Sequence, residues 1–510
     1  MINGRQKGND GARASAAAIG GSRRGLGLLC LALVAAMASP AQDEQTSASK
    51  VRFKVLVNVD TPPYGSNSPL AQGTDGNLYG TTALGGVSNP SCGSFGCGTV
   101  YRMTPAGALT TIYNFCSQPN CADGLGPSGL GTLALGADGN LYGVTVGGGA
   151  SGNGTIFKIT SGGVLTTIYN LGPADGSFNF NGLVLGADGN FYGAMVSGGA
   201  YGNGTVFKVT PQGAFATLYS FCSQTNCSDG GGPFATPVWG ADGNLYGMTT
   251  SGGANGSGTV YSLTPSGTLT TLHSFNGTDG YFGITMVQPP DGNLYGVTQN
   301  GGTGGGFGGV FFRTTTSGTY TVLYNFCSLA NCADGDLTQG LVYGDDGNFY
   351  GTALGGGNMV APECTSGGFF GCGTLFKITP AGVLTTLHVF NGITDGAVEQ
   401  TLVQATNGIF YGTDDSGGTY NDGTVWALSA GLRPFIETLP TSGKVGDAIQ
   451  ILGTDLTGAT SVSFNNIAAA FAVVSTTLIS ATVPTGATTG LVKVTTPTRT
   501  LKSNVKFRVR

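Results

Sequence analysis

Few side chains in this sequence are suited to acid–base or nucleophilic catalysis. His273 and His388 are its only histidines, and Glu363 and Glu399 are the only glutamates between residues 51 and 431. General acid–base catalysis requires a titratable group within hydrogen-bonding reach of the reacting proton. Both histidines end a Thr-Thr-Leu-His segment, and related segments end in tyrosine instead (Tyr113, Tyr169, Tyr219 and Tyr324). We therefore predict that the histidines replace tyrosine structurally, and we assign no catalytic residue.

A series of aspartates provides the candidate ligand-binding groups. They recur once per repeat, and all but the first precede a glycine: Asp60, Asp123, Asp175, Asp229, Asp279, Asp334 and Asp395. Aspartate is favoured in turns because its side chain accepts hydrogen bonds from nearby backbone N–H groups. The alternative is a calcium-like cation site, since several carboxylates that converge at one mouth are suitable Ca²⁺ ligands. Apart from that alternative, the sequence predicts no metal and no cofactor.

The cysteines form close pairs. Without Cys30, ten remain, an even number that favours disulfides in an exported protein. The predicted local disulfides are Cys92–Cys97, Cys116–Cys121, Cys222–Cys227, Cys327–Cys332 and Cys364–Cys372. A metal site is the competing interpretation, but no histidine accompanies these pairs. The two shortest repeat intervals, 50 and 49 residues, lack cysteine, so the cysteines belong to loop insertions.

Composition restricts the class of protein. Charged residues make up 9% of the 510, glycine contributes 93 residues, and the formal net charge is −5. The glycines do not recur at every third position, which excludes collagen. The hydrophobic content of 40% is too high for a disordered chain, and 21 basic residues are too few to favour nucleic-acid binding.

The N-terminal segment has the features of a signal peptide. Residues 1–41 contain five basic residues, an apolar run from Gly25 to Met37, and small residues suited to cleavage near Ala38 or Ala41. The run is too short to span a bilayer. We predict export by the general secretory route rather than the twin-arginine route, to the periplasm or outside the cell. Residues 42–50 are a linker, and no later stretch is apolar enough to span a membrane.

Internal repetition dominates residues 51–431. Asp-Gly-Asn-Leu/Phe-Tyr-Gly begins at residues 75, 138, 188, 242, 291 and 346, and a variant begins at 407. A Gly-Thr-hydrophobic-aromatic motif follows each copy, and a Leu-Thr-Thr-Leu-Tyr-like motif follows the first six. Each unit reads as four short strands linked by Asp-Gly-Asn and Thr-Pro-x-Gly turns. Seven such units predict an all-β fold, a seven-bladed β-propeller. The third motif is missing after Val425 and occurs instead at Val51–Val57, so we predict that this segment closes the ring against Gly423–Ser429.

Two family resemblances rest on these motifs. The repeats resemble the Gloeo/Verruco tandem repeat of exported bacterial proteins, a resemblance that implies no particular reaction. Residues 432–510 resemble an IPT/TIG immunoglobulin-like domain through Pro440–Gly446, Val462–Asn465 and Val483–Gly490, which implies a small β-sandwich that serves as a spacer or interaction module. The Asp-Gly-Asn repeat is also similar to that of streptogramin lyases. Their His/Glu cluster has no counterpart here, so that activity is not expected.

These observations predict a secreted, non-catalytic propeller. The insertions occupy only the loops after the second and fourth strands of each unit, and in a four-stranded meander both loops emerge on one face. Because function on rigid scaffolds is concentrated in loops, we expect that face to bind an extracellular carbohydrate or a protein surface. The alternative is a polysaccharide lyase or hydrolase with its site on the same face; a purely structural surface role is a third interpretation. The expected state is a monomer.

Overall fold

Seven successive antiparallel sheets account for most of the chain. The computed structural model describes residues 51–59, 68–127, 131–177, 181–304, 307–357, 364 and 371–510, with only the backbone of 398–401. The predicted signal peptide, the linker, Asp60 and Glu363 lie outside the described residues.

The first strand, β1 (Arg52–Asn58), belongs to the last sheet. The other sheets, here called blades, follow in chain order. Blade 1 contains β2 (Ala71–Gln72), β3 (Leu78–Thr82), β4 (Thr99–Met103) and β5 (Leu109–Asn114). Blade 2 contains β6 (Leu125–Pro127), β7 (Ala134–Leu135), β8 (Leu141–Gly147), β9 (Thr155–Ile159) and β10 (Leu165–Asn170). Blade 3 contains β11 (Val184–Leu185), β12 (Phe191–Met195), β13 (Thr205–Val209) and β14 (Phe215–Ser220). Blade 4 contains β15 (Val238–Trp239), β16 (Leu245–Met248), β17 (Thr259–Leu263) and β18 (Leu269–Ser274).

The remaining blades have longer first strands. Blade 5 contains β19 (Tyr281–Val287), β20 (Leu294–Asn300), β21 (Val310–Thr314) and β22 (Tyr320–Asn325). Blade 6 contains β23 (Asp336–Tyr343), β24 (Phe349–Gly355), β25 (Thr374–Ile378) and β26 (Leu384–Val389). Blade 7 contains β27 (Ala397–Gln404), β28 (Phe410–Ser416), β29 (Thr424–Ser429) and β1. Blade 2 differs from the predicted four strands because β6 and β7 both pair with β8.

The ring is closed by strand pairing and by apolar packing. β1 runs antiparallel to β29, from Arg52 opposite Ser429 to Asn58 opposite Thr424, which confirms the predicted closure. Each of seven buried clusters in the described residues joins two consecutive blades. The last cluster packs Leu70 and Tyr101 of blade 1 against Tyr411 and Val425 of blade 7. Closure therefore leaves no exposed edge at the junction of the first and last blades.

A glycine and an aromatic residue face each other on the two middle strands of every blade. The pairs are Gly80–Tyr101, Gly143–Phe157, Gly193–Phe207, Gly247–Tyr261, Gly296–Phe312, Gly351–Phe376 and Gly412–Trp426. A Cβ atom at Gly193 would lie only 2.5 Å from Cζ of Phe207. The ring therefore lies directly over the glycine backbone, which explains why both motifs recur together in the sequence.

The Asp-Gly-Asn-x-Tyr motif forms a hydrogen-bonded turn. In blade 1, Asp75 accepts hydrogen bonds from the backbone N–H of Asn77 (3.1 Å) and from the hydroxyl of Tyr79 (2.8 Å). Gly76 has a φ of 79°, which an L side chain adopts only with strain. In blade 7, the side-chain amide of Asn407 instead donates to the Tyr411 hydroxyl at 2.9 Å. The tyrosines of this motif, which recur once per blade and are therefore interpreted as packing residues, are buried and also hold the turn.

The C-terminal segment is a β-sandwich. One sheet has the order β30 (Glu437–Leu439), β32 (Ala448–Leu452), β36 (Leu478–Thr482), β35 (Phe471–Val473), and the other has the order β34 (Ile467–Ala468), β33 (Ser461–Phe464), β37 (Val492–Thr495), β38 (Thr500–Lys502). β31 (Ser442–Gly443) and β39 (Arg508–Val509) pair in parallel. Residues of both sheets, among them Ile451, Ile479 and Val494, form one buried core. The prediction of an all-β propeller followed by a small sandwich is confirmed.

The glycine–aromatic pair leads to a stability prediction. We expect Gly193→Ala to lower the free energy of unfolding by about 1–3 kcal/mol, because the added methyl group overpacks the contact with Phe207. Gly162→Ala is the control, since its nearest neighbour would lie 3.8 Å away and its φ is not positive. The control should change stability by less than about 0.5 kcal/mol. Equal melting temperatures for the two variants, measured by thermal denaturation, would contradict the packing argument.

Candidate functional site

The two faces of the ring are built from different loops. One face carries the Asp-Gly-Asn turns. The other carries the loops after the second and fourth strands of each blade, including all ten cysteines, and is called here the cysteine-bearing face. The side chains of Cys92, Cys97 and Cys116 lie within 4.8 Å of one another, although they come from both kinds of loop. The two kinds of loop therefore meet on one face, as the sequence predicted.

The C-terminal sandwich packs on the Asp-Gly-Asn face. The Thr477 hydroxyl donates to the carbonyl of Thr74 at 2.7 Å, beside the turn of blade 1. In blade 7, the hydroxyls of Thr454 and Thr406 are 3.2 Å apart, and the N–H of Phe435 donates to the Thr406 carbonyl. The sandwich thus contacts the Asp-Gly-Asn face at blades 1 and 7. These sandwich residues do not touch the cysteine-bearing face.

A central cavity of about 540 Å³ runs between the first strands of the blades. Its wall is mainly apolar and includes Leu183, Met286 and Leu341, and Thr441 of the sandwich lines it as well. Its polar side chains bond mainly to nearby backbone groups: the Thr285 hydroxyl donates to the Gln339 carbonyl at 3.0 Å, and the Asn181 side chain donates to the Pro233 carbonyl at 3.0 Å. No acidic or basic side chain of the described residues lines the cavity.

All five predicted disulfides are formed. Those that follow the outer strands of blades 1, 3 and 5 each enclose a short 3₁₀ turn, of which Pro119–Cys121 is the first. The two groups of three potential metal ligands in the described residues both include disulfide sulfurs, which are not thiolates. The cysteines therefore hold loops in shape.

The predicted ligand-binding aspartates are occupied within their own loops. Asp123 accepts hydrogen bonds from the hydroxyl of Tyr113 (2.8 Å) and the backbone N–H of Ser117 (3.0 Å). Asp229 and Asp334 repeat this arrangement, and all three are fully buried. Burial opposes ionisation of Asp229, but hydrogen bonds from Tyr219 and Ser223 lower its pKa overall.

The remaining aspartates follow the same pattern with fewer donors. Asp175 accepts from the Tyr169 hydroxyl at 3.0 Å and from the N–H of Gly172 at 2.7 Å. Asp279 and Asp395 each accept a hydrogen bond from a backbone N–H group, and each bonds to a histidine Nε2 in place of the tyrosine hydroxyl. None of the six described aspartates lines the central cavity, and Asp60 lies outside the described residues. The structure thus places each carboxylate in a turn and does not bring them together.

The two histidines occupy the tyrosine position of the outer strand. His273 Nε2 lies 3.0 Å from the Asp279 carboxylate, and its ring stacks on Tyr320 of the next blade with centroids 3.8 Å apart. His388 likewise bonds to Asp395 at 2.9 Å and stacks on Phe53 of β1. Tyr169 makes the equivalent stack on Phe215. Each His–Asp pair is therefore a variant of the Tyr–Asp pair in the other blades.

A buried carboxylate that sequence reasoning missed lies in blade 7. Asp414 bonds to the Thr424 hydroxyl and accepts the indole N–H of Trp426 at 2.9 Å. Complete burial raises its pKa well above the ordinary value, and the nearby charges of Asp415 and Asp395 raise it further. Blades 1, 2, 4 and 5 have threonine at this position (Thr82, Thr145, Thr249 and Thr298). Comparison of the repeats could have revealed this substitution.

Sequence reasoning also missed a group of aromatic residues beside the cavity. Phe282 lies 5.2 Å from Phe234 and 6.2 Å from Tyr281, measured between ring centroids, and Phe234 lines the cavity. The segment before Phe234 is bound to the loop that carries Tyr201, since the N–H of Gly232 donates to the Asn203 carbonyl at 2.8 Å. We call Tyr201, Phe234, Tyr281 and Phe282 the aromatic arc. It extends over blades 3, 4 and 5 on the cysteine-bearing face.

Two family profiles match the chain. The Gloeobacter/Verrucomicrobia repeat matches residues 45–233 and 223–426, and the IPT/TIG domain matches residues 434–509. No curated protein matches the chain. No helix of the described residues could span a membrane.

Several solved structures are similar in fold. Virginiamycin B lyase from Staphylococcus aureus is 16% identical, with a TM-score of 0.48 over 74% of this chain and 99% of that chain. The extracellular domain of a putative hybrid two-component system from B. thetaiotaomicron is 12% identical, with a TM-score of 0.46 over 90% of this chain and 57% of that chain. The periplasmic gluconolactonase of Pseudomonas aeruginosa is 17% identical, with a TM-score of 0.42 over 66% of this chain and 87% of that chain. Sequence identities this low support no statement about the activity of this chain.

The histidine geometry predicts that tyrosine is an adequate replacement. We expect His273→Tyr to retain the native melting temperature, because Tyr169 shows that tyrosine can both stack on the next blade and bond to the turn aspartate. His273→Ala removes both contacts and should destabilise the protein by about 1–3 kcal/mol. Thermal denaturation of both variants tests this. A His273→Tyr variant as unstable as His273→Ala would contradict the structural assignment.

The buried carboxylate predicts a pH dependence. Because the pKa of Asp414 is raised on folding, the folded state holds a proton that the unfolded state releases above about pH 4. The contribution of Asp414 to stability is therefore complete at acidic pH and is lost as the pH rises towards the folded-state pKa. We expect Asp414→Thr to melt at a higher temperature than the native protein at pH 8 and to remove this slope. Identical pH profiles of melting temperature between pH 4 and 8 would refute the assignment.

Proposed function

The chain belongs to the Gloeobacter/Verrucomicrobia repeat family, and from this premise we propose that it is an exported, non-catalytic binding module that engages a carbohydrate or protein partner. The family is defined by its repeat and implies no reaction, so the proposal rests on the site geometry. The binding surface is the cysteine-bearing face.

The difference between the two faces carries this proposal. The Asp-Gly-Asn face supports the sandwich through Thr74 and Thr406, and its turns barely vary between blades. The cysteine-bearing face has loops that vary in length and sequence, and disulfides constrain several of them. Variable loops on a rigid scaffold are the usual location of binding sites.

The state of the titratable groups supports a non-catalytic role. A general acid or base must be able to exchange a proton with substrate. The described aspartates of the turns are saturated by hydrogen bonds from their own loops, and Asp414 is enclosed between β28 and β29. His273 and His388 bind carboxylates at the outer strands rather than at the cavity.

An oxidising compartment is part of the same proposal. Disulfides persist outside the cytosol, and five of them constrain this small set of loops. We place the mature protein in the periplasm or outside the cell, after removal of the signal peptide near Ala38 or Ala41. It is expected to act as a monomer, since the ring closes on its own strands.

The test is a parallel binding and cleavage screen of the mature chain, residues 42–510. We expect it to bind members of a glycan array or an extracellular protein, without releasing reducing ends or unsaturated sugars from any polysaccharide. Mass measurement in solution should give one chain per particle. Turnover of a polysaccharide would establish the alternative, a lyase or hydrolase. Binding to neither class of partner would reject the binding role.

A further inference from the structure

Tyr201 is exposed for no evident structural reason. It lies at the tip of the loop between β12 and β13, and 55% of its surface is accessible to solvent. The corresponding tips of blades 2 and 4 carry Ser151 and Asn255, and that of blade 7 carries Tyr420. Asn153 and Asn203 close their loops in the same way, by donating to the carbonyl of the tip residue. The turn therefore forms with or without an aromatic ring, so the Tyr201 ring is available for another role.

Phe282 adopts a backbone conformation that suits glycine. It lies three residues after the turn aspartate, with a φ of 61°. At the same position after the turn aspartate, blades 2 and 4 have Gly126 and Gly232, and blade 6 has Leu337, all at positive φ. A bulky L residue is unfavourable in this region, and Leu337 shows that blade 6 carries one there as well. Its ring is placed between Tyr281 and Phe234.

The amino-acid sequence of the loops on the cysteine-bearing face is free of basic residues. These loops contain no lysine, arginine or histidine, and the lysines and arginines of blades 1, 2, 3, 5 and 6 all lie on third strands (Arg102, Lys158, Lys208, Arg313 and Lys377). The charged groups of these loops are carboxylates, and the turn carboxylate nearest the arc, Asp279, is bound to His273. Anionic polymers would therefore be repelled. Neutral ligands are the class that this surface fits best.

We propose that the aromatic arc binds an uncharged polysaccharide chain. This inference rests on the proposed binding function and names its ligand class. The C–H bonds of a pyranose carry a small positive potential, so a sugar face stacks on the negative face of an aromatic ring. The arc extends from the loop tip at Tyr201 to the cavity mouth at Phe234. The rings of Phe234, Phe282 and Tyr281, with neighbouring centroids 5.2 and 6.2 Å apart, form its continuous part, and Tyr201 is inferred to contact a more distant sugar of the same chain.

The test compares two tyrosines of equal exposure. The mature chain is assayed by depletion and by affinity electrophoresis against neutral polysaccharides (cellulose, xylan, mannan and starch) and anionic ones (alginate and polygalacturonate). Tyr201→Ser installs the residue of blade 2 in the arc, and Tyr281→Ala removes a second ring. Tyr420→Asn is the matched control, because Tyr420 is also 55% exposed at a loop tip but lies in blade 7, outside the arc.

We expect at least one neutral polysaccharide to bind and no anionic one. Tyr201→Ser and Tyr281→Ala should each weaken binding by about tenfold or more, as loss of an aromatic contact at a binding centre does. Tyr420→Asn should change it by less than about twofold. Affinity should be unchanged between about 50 and 500 mM NaCl, since no charge is paired. Phe282→Gly should weaken binding while leaving the melting temperature unchanged or higher, because glycine relieves the strain.

Each other outcome overturns the inference in a distinct way. If a neutral polysaccharide binds but the Tyr201 and Tyr281 variants match the Tyr420 control, the arc is not the site, although the binding function stands. If only a basic protein or an anionic polymer binds, the ligand class is wrong and the binding function again stands. If the chain binds nothing, or cleaves the polysaccharide, the proposed function fails together with the inference.

Discussion

The fold depends on an aromatic ring that lies against a bare glycine backbone in the middle of each blade. The ring of Phe207 occupies the space that a Cβ atom of Gly193 would need, and the other six blades repeat this contact. Strand glycines ordinarily weaken a sheet, since they add no packing and lose more conformational freedom on folding. Here the glycine allows the ring of the third strand to reach the cluster shared with the neighbouring blade, in which Phe207 is grouped with Tyr142 and Ile156 of blade 2. The interaction within a blade thus creates the interface between blades.

The outer rim depends on a second repeated contact. A tyrosine or histidine of the fourth strand binds the turn aspartate of its own loop, and in blades 2, 4 and 6 it stacks on a ring of the next blade. In blades 1, 3 and 5, a serine and a disulfide accompany the tyrosine instead. Both versions hold the carboxylate within the loop. A His–Asp pair that resembles catalytic machinery in isolation is therefore explained by its place in the repeat.

Because these contacts hold the scaffold rigid, the backbone conformation of a loop does not depend on which side chain stands at its tip. Glycines at positive φ and asparagine side chains define the tips of the second loops, so serine, asparagine and tyrosine all occur at one position without a change of turn. The same holds for Phe282, which occupies a position where glycine would be less strained. Departures from the repeat consensus are thus informative. Asp414 differs from its counterparts in every other blade, whereas Tyr201 has a tyrosine counterpart in Tyr420 and Phe282 has a counterpart in Leu337. The regular tyrosines of the Asp-Gly-Asn motif are structural.

The amino-acid sequence by itself determined the strand pattern, the ring closure by β1 and the local disulfides. These features follow from turn chemistry, from a repeat that begins with its last strand, and from cysteines that occur as close pairs along the chain. The tertiary structure alone decided which aspartates are saturated, because a hydrogen bond from Tyr113 to Asp123 depends on how the loop returns to the outer strand. It also decided that the sandwich packs on the Asp-Gly-Asn face and that Phe234 and Phe282 meet beside the cavity. These contacts join residues about 50 to 400 positions apart, and no local propensity or spacing encodes which surfaces meet once the ring has closed.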